Sequence, residues 1–216
     1  MDKSQIIQQT AEFISRETAL EGSGHDWFHI ERVRKLALNL GLTEGSDPFV
    51  TEMAALLHDL DDWKLSGSKV HFPAKAKSWL DKMDAGEEVS NRILQVIEDI
   101  SYRGAGTETP VRSAEAAVVQ DADRLDAMGA IGIARTFAYG GFKNRLIYDP
   151  AVDPVMHPDF QSYQNSSAPT INHFYEKLLL LKDRMNTMTA KRIAEQRHLF
   201  MENFLEQFFS EWEAKK

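Results

Sequence analysis

The apolar residues of this 216-residue chain return at helical spacing in segment after segment, and no stretch alternates with period two for long. Side chains repeat every 3.6 residues on a helix and every two on a strand, so the pattern restricts the chain to helices. Ile6, Ile7, Ala11, Phe13 and Ile14 predict a helix over about 3–19. Phe28, Ile30, Val33, Leu36, Ala37 and Leu40 predict another over 27–40, with Gly41 as its stop. In "SDPFVTEMAALLHDL", Asp47 reads as an N-cap and Pro48 as the first helical residue. Helices are expected near 73–84, 87–101 and 111–120, then along the small-residue run 122–139. Two more cover 170–186 and 189–213, with Thr170 and Thr189 near their caps. Residues 140–168 are rich in Pro, Asp and Ser, have no helical pattern, and read as a long loop. The expectation is an all-α, compact globular fold with that loop before the last two helices. No repeat period points to a solenoid.

Hydrophobic residues make up 43% of the chain, which is ample for a core at this length. No Pro/Gly/Ser-rich linker divides it, so a single domain over 1–216 is expected. No apolar run approaches the roughly 18 residues of a membrane-spanning helix. The opening "MDKSQIIQQTAEFISRETA" is amphipathic and lacks the apolar stretch of a signal peptide. The absence of cysteine excludes disulfides and thiolate metal sites, leaving seven histidines and 33 acidic residues as nitrogen and oxygen donors. These features predict a cytoplasmic protein. A net charge of −8 argues against general binding of nucleic-acid polymers, which needs clustered Lys and Arg. A small anionic substrate still fits where cations gather locally or a metal neutralises it.

Within "EMAALLHDLDDWK", an apolar helix ends in His58-Asp59, followed by Asp61 and Asp62. Burying such groups costs several kcal/mol unless they are paired. Neighbours on a helix point about 100° apart, so both can reach one ion only near a helix end. "GHDWFHIERV" adds His25 and His29, and "VVQDADRLDAMGAIGIAR" adds Asp121, Asp123 and Asp126. The order His29, His58-Asp59, Asp123 resembles the HD-domain metal-dependent phosphohydrolase superfamily. The quoted segments look most like its small single-domain bacterial subgroup. The resemblance runs over roughly residues 20–190, with a metal-site core at about 20–140, the loop at 140–168 and C-terminal helices at 170–214.

The resemblance implies one divalent ion held by His29, His58, Asp59 and Asp123, with Asp121 competing for the fourth place. "ADRLDAM" matches the family pattern and favours Asp123. Two imidazoles and two carboxylates suit Mn, Mg, Fe, Co or Ni with two positions open, unlike a closed zinc site. Asp62, four residues after His58 and on its face, is the candidate base that orients water, and His25 the candidate acid for the leaving group. Asp61 points elsewhere, toward solvent or a capping role. Candidate substrate contacts are Arg103, Arg124, Arg135, Lys143, His173 and Lys177. Each also has an ordinary structural reading as an ion-pair partner or solvated side chain. Tyr139 and Tyr148 read as base-stacking rings or as core anchors.

The implied activity is hydrolysis of a nucleotide, with (deoxy)nucleoside triphosphate cleaved to monophosphate and pyrophosphate as the favoured form. A 5′-nucleotidase or phosphodiesterase uses the same site, and a non-catalytic metal- or nucleotide-binding protein is the alternative of another class. The Phe-rich terminal helix reads as a core face or as the contact of a homodimer.

Overall fold

A computed structural model describes residues 2–19, 26–61, 73–100, 111–156 and 167–215. They contain nine α-helices, one 3-10 segment and no strand, so the fold class is all-α. Among them, no helix is long and apolar enough to cross a membrane. The chain divides into two compact units, with the boundary between Ala122 and Asp123.

The first unit is built around its most apolar helix. Helix α1 (Lys3–Glu17) opens with a capping box in which Asp2 and Gln5 each accept from the other's backbone N–H. It buries Ile6, Thr10 and Ile14. Thr10 accepts from Trp79 Nε1 at 2.9 Å, and Phe13 stacks on the Trp79 ring with centroids 3.9 Å apart. Helix α2 spans Trp27–Glu44 and α3 spans Pro48–Leu57. Asp47 caps α3 by accepting from the N–H groups of Phe49 and Val50. Burial opposes the charge of Asp47, but these bonds and nearby Arg92 outweigh it and hold its carboxyl below the ordinary value. Apart from Glu52, every residue of α3 after Pro48 is buried. A helix apolar on nearly all sides belongs in the centre of a core. Accordingly α3 packs against α1, α2 and α5 (Glu87–Ile100), while α4 (Ala74–Lys82) packs on α5. The described part of the unit ends with most of α6 (Ala114–Asp126).

The second unit takes the end of α6, α7 (Gly129–Phe142), the short α8 (Asn172–Glu176), the 3-10 segment Leu178–Arg184 and α9 (Met188–Trp212). Helix α9 packs on α7 and on the 3-10 segment. Tyr148, from the irregular stretch after α7, sits edge-on to Phe208, Phe209 and Trp212 with centroids 5.0–6.0 Å apart. Tyr148 is half-buried there.

Several helix ends differ from expectation, each for a local reason. Helix α2 runs through Gly41 and stops at Gly45, which takes the left-handed conformation with φ 76°. Gly41 is instead a close-approach position, since a Cβ there would meet Ser46 Oγ at 2.4 Å. The small-residue run is two helices, not one. Met128 is extended (φ −119°, ψ 163°), and Gly129 turns the chain with φ 68°. A Cβ on Gly132 would lie 2.2 Å from the Ala127 carbonyl oxygen, so the absence of side chains permits the corner. The helix expected over 170–186 is broken at Lys177 (φ −145°). Beyond the break, buried Leu178 and Leu181 stand three apart and fit the three-residue turn of a 3-10 helix. Thr187 caps α9 by accepting from Ala190 N–H, in place of Thr189. The loop begins at Lys143, one helical turn later than expected, and its described residues 143–156 and 167–168 are irregular.

Candidate metal centre

His29 enters the site from the first turn of α2. Asp26 is the N-cap, and its Oδ1 accepts from the His29 N–H at 2.8 Å. The cap therefore fixes the backbone of the residue that carries the ring. The His29 side chain is fully buried. His58 and Asp59 follow α3 directly, at the helix end where adjacent side chains can converge. His58 keeps α-region dihedrals (φ −60°, ψ −35°), and its Nδ1 lies 2.8 Å from the Ala55 carbonyl oxygen. A carbonyl only accepts, so Nδ1 carries the proton and the lone pair of the neutral ring lies at Nε2. This is the arrangement in which a metal-binding imidazole is oriented by its other nitrogen.

The three side chains form one cluster. Asp59 Oδ2 is 3.4 Å from His29 Nε2, and Asp59 Oδ1 is 3.5 Å from His58 Nε2. The imidazole centroids are 5.4 Å apart, with planes at 66°. One ligand atom from each residue lies within 4.8 Å of the other two. Ligand bonds of about 2.0–2.2 Å place cis donors about 3 Å apart and trans donors about 4.3 Å apart. The 3.4 and 3.5 Å spacings lie between these values, and imidazoles with a carboxylate are ordinary donors for a divalent ion. His29, His58 and Asp59 could thus hold a metal.

Asp121 is fully buried near the end of the first unit, whereas half-buried Asp123 begins the second. Asp61 caps α4: its two carboxylate oxygens accept from Lys75 N–H at 3.1 Å and Ala76 N–H at 3.0 Å. Pro73, at the N-cap position, supplies no side-chain bond. The candidate base Asp62, acid His25 and substrate contact Arg103 lie outside the described residues.

The remaining candidate cations belong to the second unit. Arg124 donates to the Arg184 carbonyl at the end of the 3-10 segment. Arg135 pairs with buried Asp126 at 2.8 Å. Lys143 lies over the rings of Tyr139 and Phe142, 5.7 and 5.4 Å from their centroids. His173 and Lys177 are both half-buried; His173 is in α8 and Lys177 ends it. His198 pairs with Glu202 one turn later on α9. Sequence reasoning passed over Asp26 and the Ala55 carbonyl, which bond the two histidines of the cluster. An Asp directly before an apolar-periodic segment was the available signal for the first. A carbonyl leaves no signal in the residue type.

The HD domain family matches residues 27–128, which includes the whole His/Asp cluster. The chain belongs to the HD superfamily of hydrolases. It is 42% identical over 189 residues to the Bacillus subtilis protein YpgQ, covering 87% of this chain and 84% of that one. The crystal structure of a Bacillus thuringiensis HD-superfamily hydrolase is 46% identical, with a TM-score of 0.76 over 99% of this chain and 100% of that one. The crystal structure of YpgQ in complex with ADP superposes with a TM-score of 0.75 over 95% of this chain and 97% of that one, at 35% identity.

Proposed function

We propose that this protein is a metal-dependent phosphohydrolase of nucleotides that converts a (deoxy)nucleoside triphosphate to the monophosphate and pyrophosphate. The observation that carries the reading is the convergence of His29, His58 and Asp59, with the His58 tautomer set by Ala55. The complex of YpgQ with ADP supports a nucleotide as the ligand class. Asp123 is proposed as the fourth donor. The bound ion would supply Lewis acidity toward the phosphate oxygens and the attacking water.

The protein's own groups then divide the work. Asp62 orients the water and accepts its proton as the new bond to the α-phosphorus forms. His25 protonates the departing oxygen as the bond to pyrophosphate breaks. Arg103, Arg124, Arg135, Lys143, His173 and Lys177 are the proposed sources of positive charge for the polyphosphate. Arg124 and Arg135 already have protein partners and would serve by exchanging or sharing them. Both units are proposed to act as one catalytic domain. A homodimer through α9, where Leu199 and Phe200 stand exposed, belongs to the same proposal.

The test is product analysis with a nucleotide panel and the protein loaded in turn with each candidate divalent ion. Monophosphate with free pyrophosphate is expected. Orthophosphate as the only inorganic product would overturn this reading. Turnover at background with every ion would leave a binding protein.

A further inference from the structure

The cluster depends on how α2 is seated against α3, because His29 comes from one helix and His58-Asp59 from the end of the other. The helices are joined by residues 45–47 and run antiparallel. The start of α2 meets the end of α3 at the cluster, and their middles meet at Arg34 and Glu52. Both pairs straddle the same point of the hairpin.

Most of the α2–α3 contact is apolar packing without directional bonds. Apart from Pro48, Thr51 and Glu52, α3 is made of Phe, Val, Met, Ala and Leu, whose burial is non-directional, and Thr51 donates to Ser46 Oγ in the connection at 2.9 Å. Glu52 is the single charged residue of α3. Arg34 donates to its Oε1 from both Nε (2.8 Å) and Nη2 (2.6 Å). Arg34 Nη1 also donates to Glu31 Oε2 at 2.9 Å, which fixes the guanidinium fork on its own helix. Burial opposes the guanidinium charge, but the bonds to Glu52 and Glu31 outweigh it and hold its pKa above the ordinary value. A one-residue slip shifts a helix by about 1.5 Å along its axis. Metal ligation tolerates only about 0.2 Å. The register must therefore be held far more tightly than one residue.

We propose that Arg34 is a positioning residue: by gripping Glu52 it sets the register of α2 on α3 and holds His29 at the distance from His58 and Asp59 that a divalent cation requires. The inference rests on the metal-site reading above.

The experiment is Mn²⁺ titration of the metal-free full chain by calorimetry, for wild type, Arg34→Met, Arg34→Lys and Glu52→Gln, with helicity and melting temperature recorded in parallel. The expected result is a Kd for Arg34→Met about tenfold weaker than wild type, the lower end for residues that orient ligands. Arg34→Lys should fall between, because an ammonium cannot grip Glu52 and Glu31 with one planar fork. A merely structural role would lower the melting temperature and leave the Kd of the folded protein unchanged, and that outcome overturns the proposal. If Arg34→Met does not fold, Glu52→Gln carries the same comparison with the shape preserved. Wild-type protein that binds no divalent ion would overturn the metal-site reading as well. Wild-type binding matched by both variants would overturn this inference alone.

Discussion

Replacing His58 by alanine separates the cluster's role as a metal site from its role in the fold. The backbone at 58 is helical (φ −60°, ψ −35°), so alanine sits there without strain. The side chain is 5% exposed and its loss empties a small buried space. A loss of about 1–3 kcal/mol of metal-free stability follows. The larger effect is on linkage. An ion that binds only the folded protein adds about 2.7 kcal/mol at a concentration 100 times its Kd. For a chain of this size each kcal/mol moves the melting temperature by about 2–4 °C, so wild type should gain about 5–11 °C. Removing one of three clustered donors weakens the ion by at least about a hundredfold. At the same concentration the gain shrinks to about 0.4 kcal/mol, or about 1 °C. Differential scanning fluorimetry of both proteins, with Mn²⁺ and with chelator, measures this. A metal-dependent shift in His58→Ala as large as in wild type would refute the assignment of His29, His58 and Asp59 as the site.

Two further predictions concern the scaffold. Asp47→Ala removes the cap of α3 and should cost about 1 kcal/mol in a urea titration near neutral pH. The folded pKa of Asp47 lies below its unfolded value of 3.8, so this contribution is complete above that value and disappears as pH falls through the lower folded one. A wild-type-to-variant gap as wide near pH 2 as near pH 6 would contradict the assignment. Helix α7 predicts different outcomes for glycines at its two ends. Gly132→Ala drives a Cβ into the Ala127 carbonyl and should cost about 1–3 kcal/mol. Gly141→Ala, with nothing within 4 Å in the last turn of α7, should be neutral or stabilise by up to about 1 kcal/mol, again read by urea denaturation.

The helices were legible because they follow from local pattern, whereas His29 joined His58-Asp59 only through the family resemblance. Apolar spacing located the elements, and Asp47-Pro48 marked the start of α3. The His-Asp pair lay at the end of an apolar run, where two adjacent side chains can turn toward one ion. Breaks were harder to place. Gly41 and Gly45 are the same residue type four apart, yet one is a packing contact and the other a stop. What separates them is the Ser46 side chain against Gly41 and the left-handed φ at Gly45. Nothing in the small-residue run distinguishes a long helix from two short ones, because glycine permits both. The sequence over Leu178–Leu181 is equally compatible with an α-helix and a 3-10 helix, because a run of leucines carries no period that separates 3.6 from 3.0.

The sequence by itself determined an all-α chain, a donor set of nitrogen and oxygen, and the residues around which a metal centre would be built. Only the tertiary structure decided that the donors of His29, His58 and Asp59 lie within 4.8 Å of one another, which nitrogen of His58 turns inward, and that Asp61 caps α4. It also drew Arg34 out of a row of helix charges and onto Glu52. The physical reason is common to these cases. Periodicity and capping act within one or two helical turns and are written in residue types. The distance between two helices, and the side chain that holds them in register, depend on packing between residues far apart in the chain.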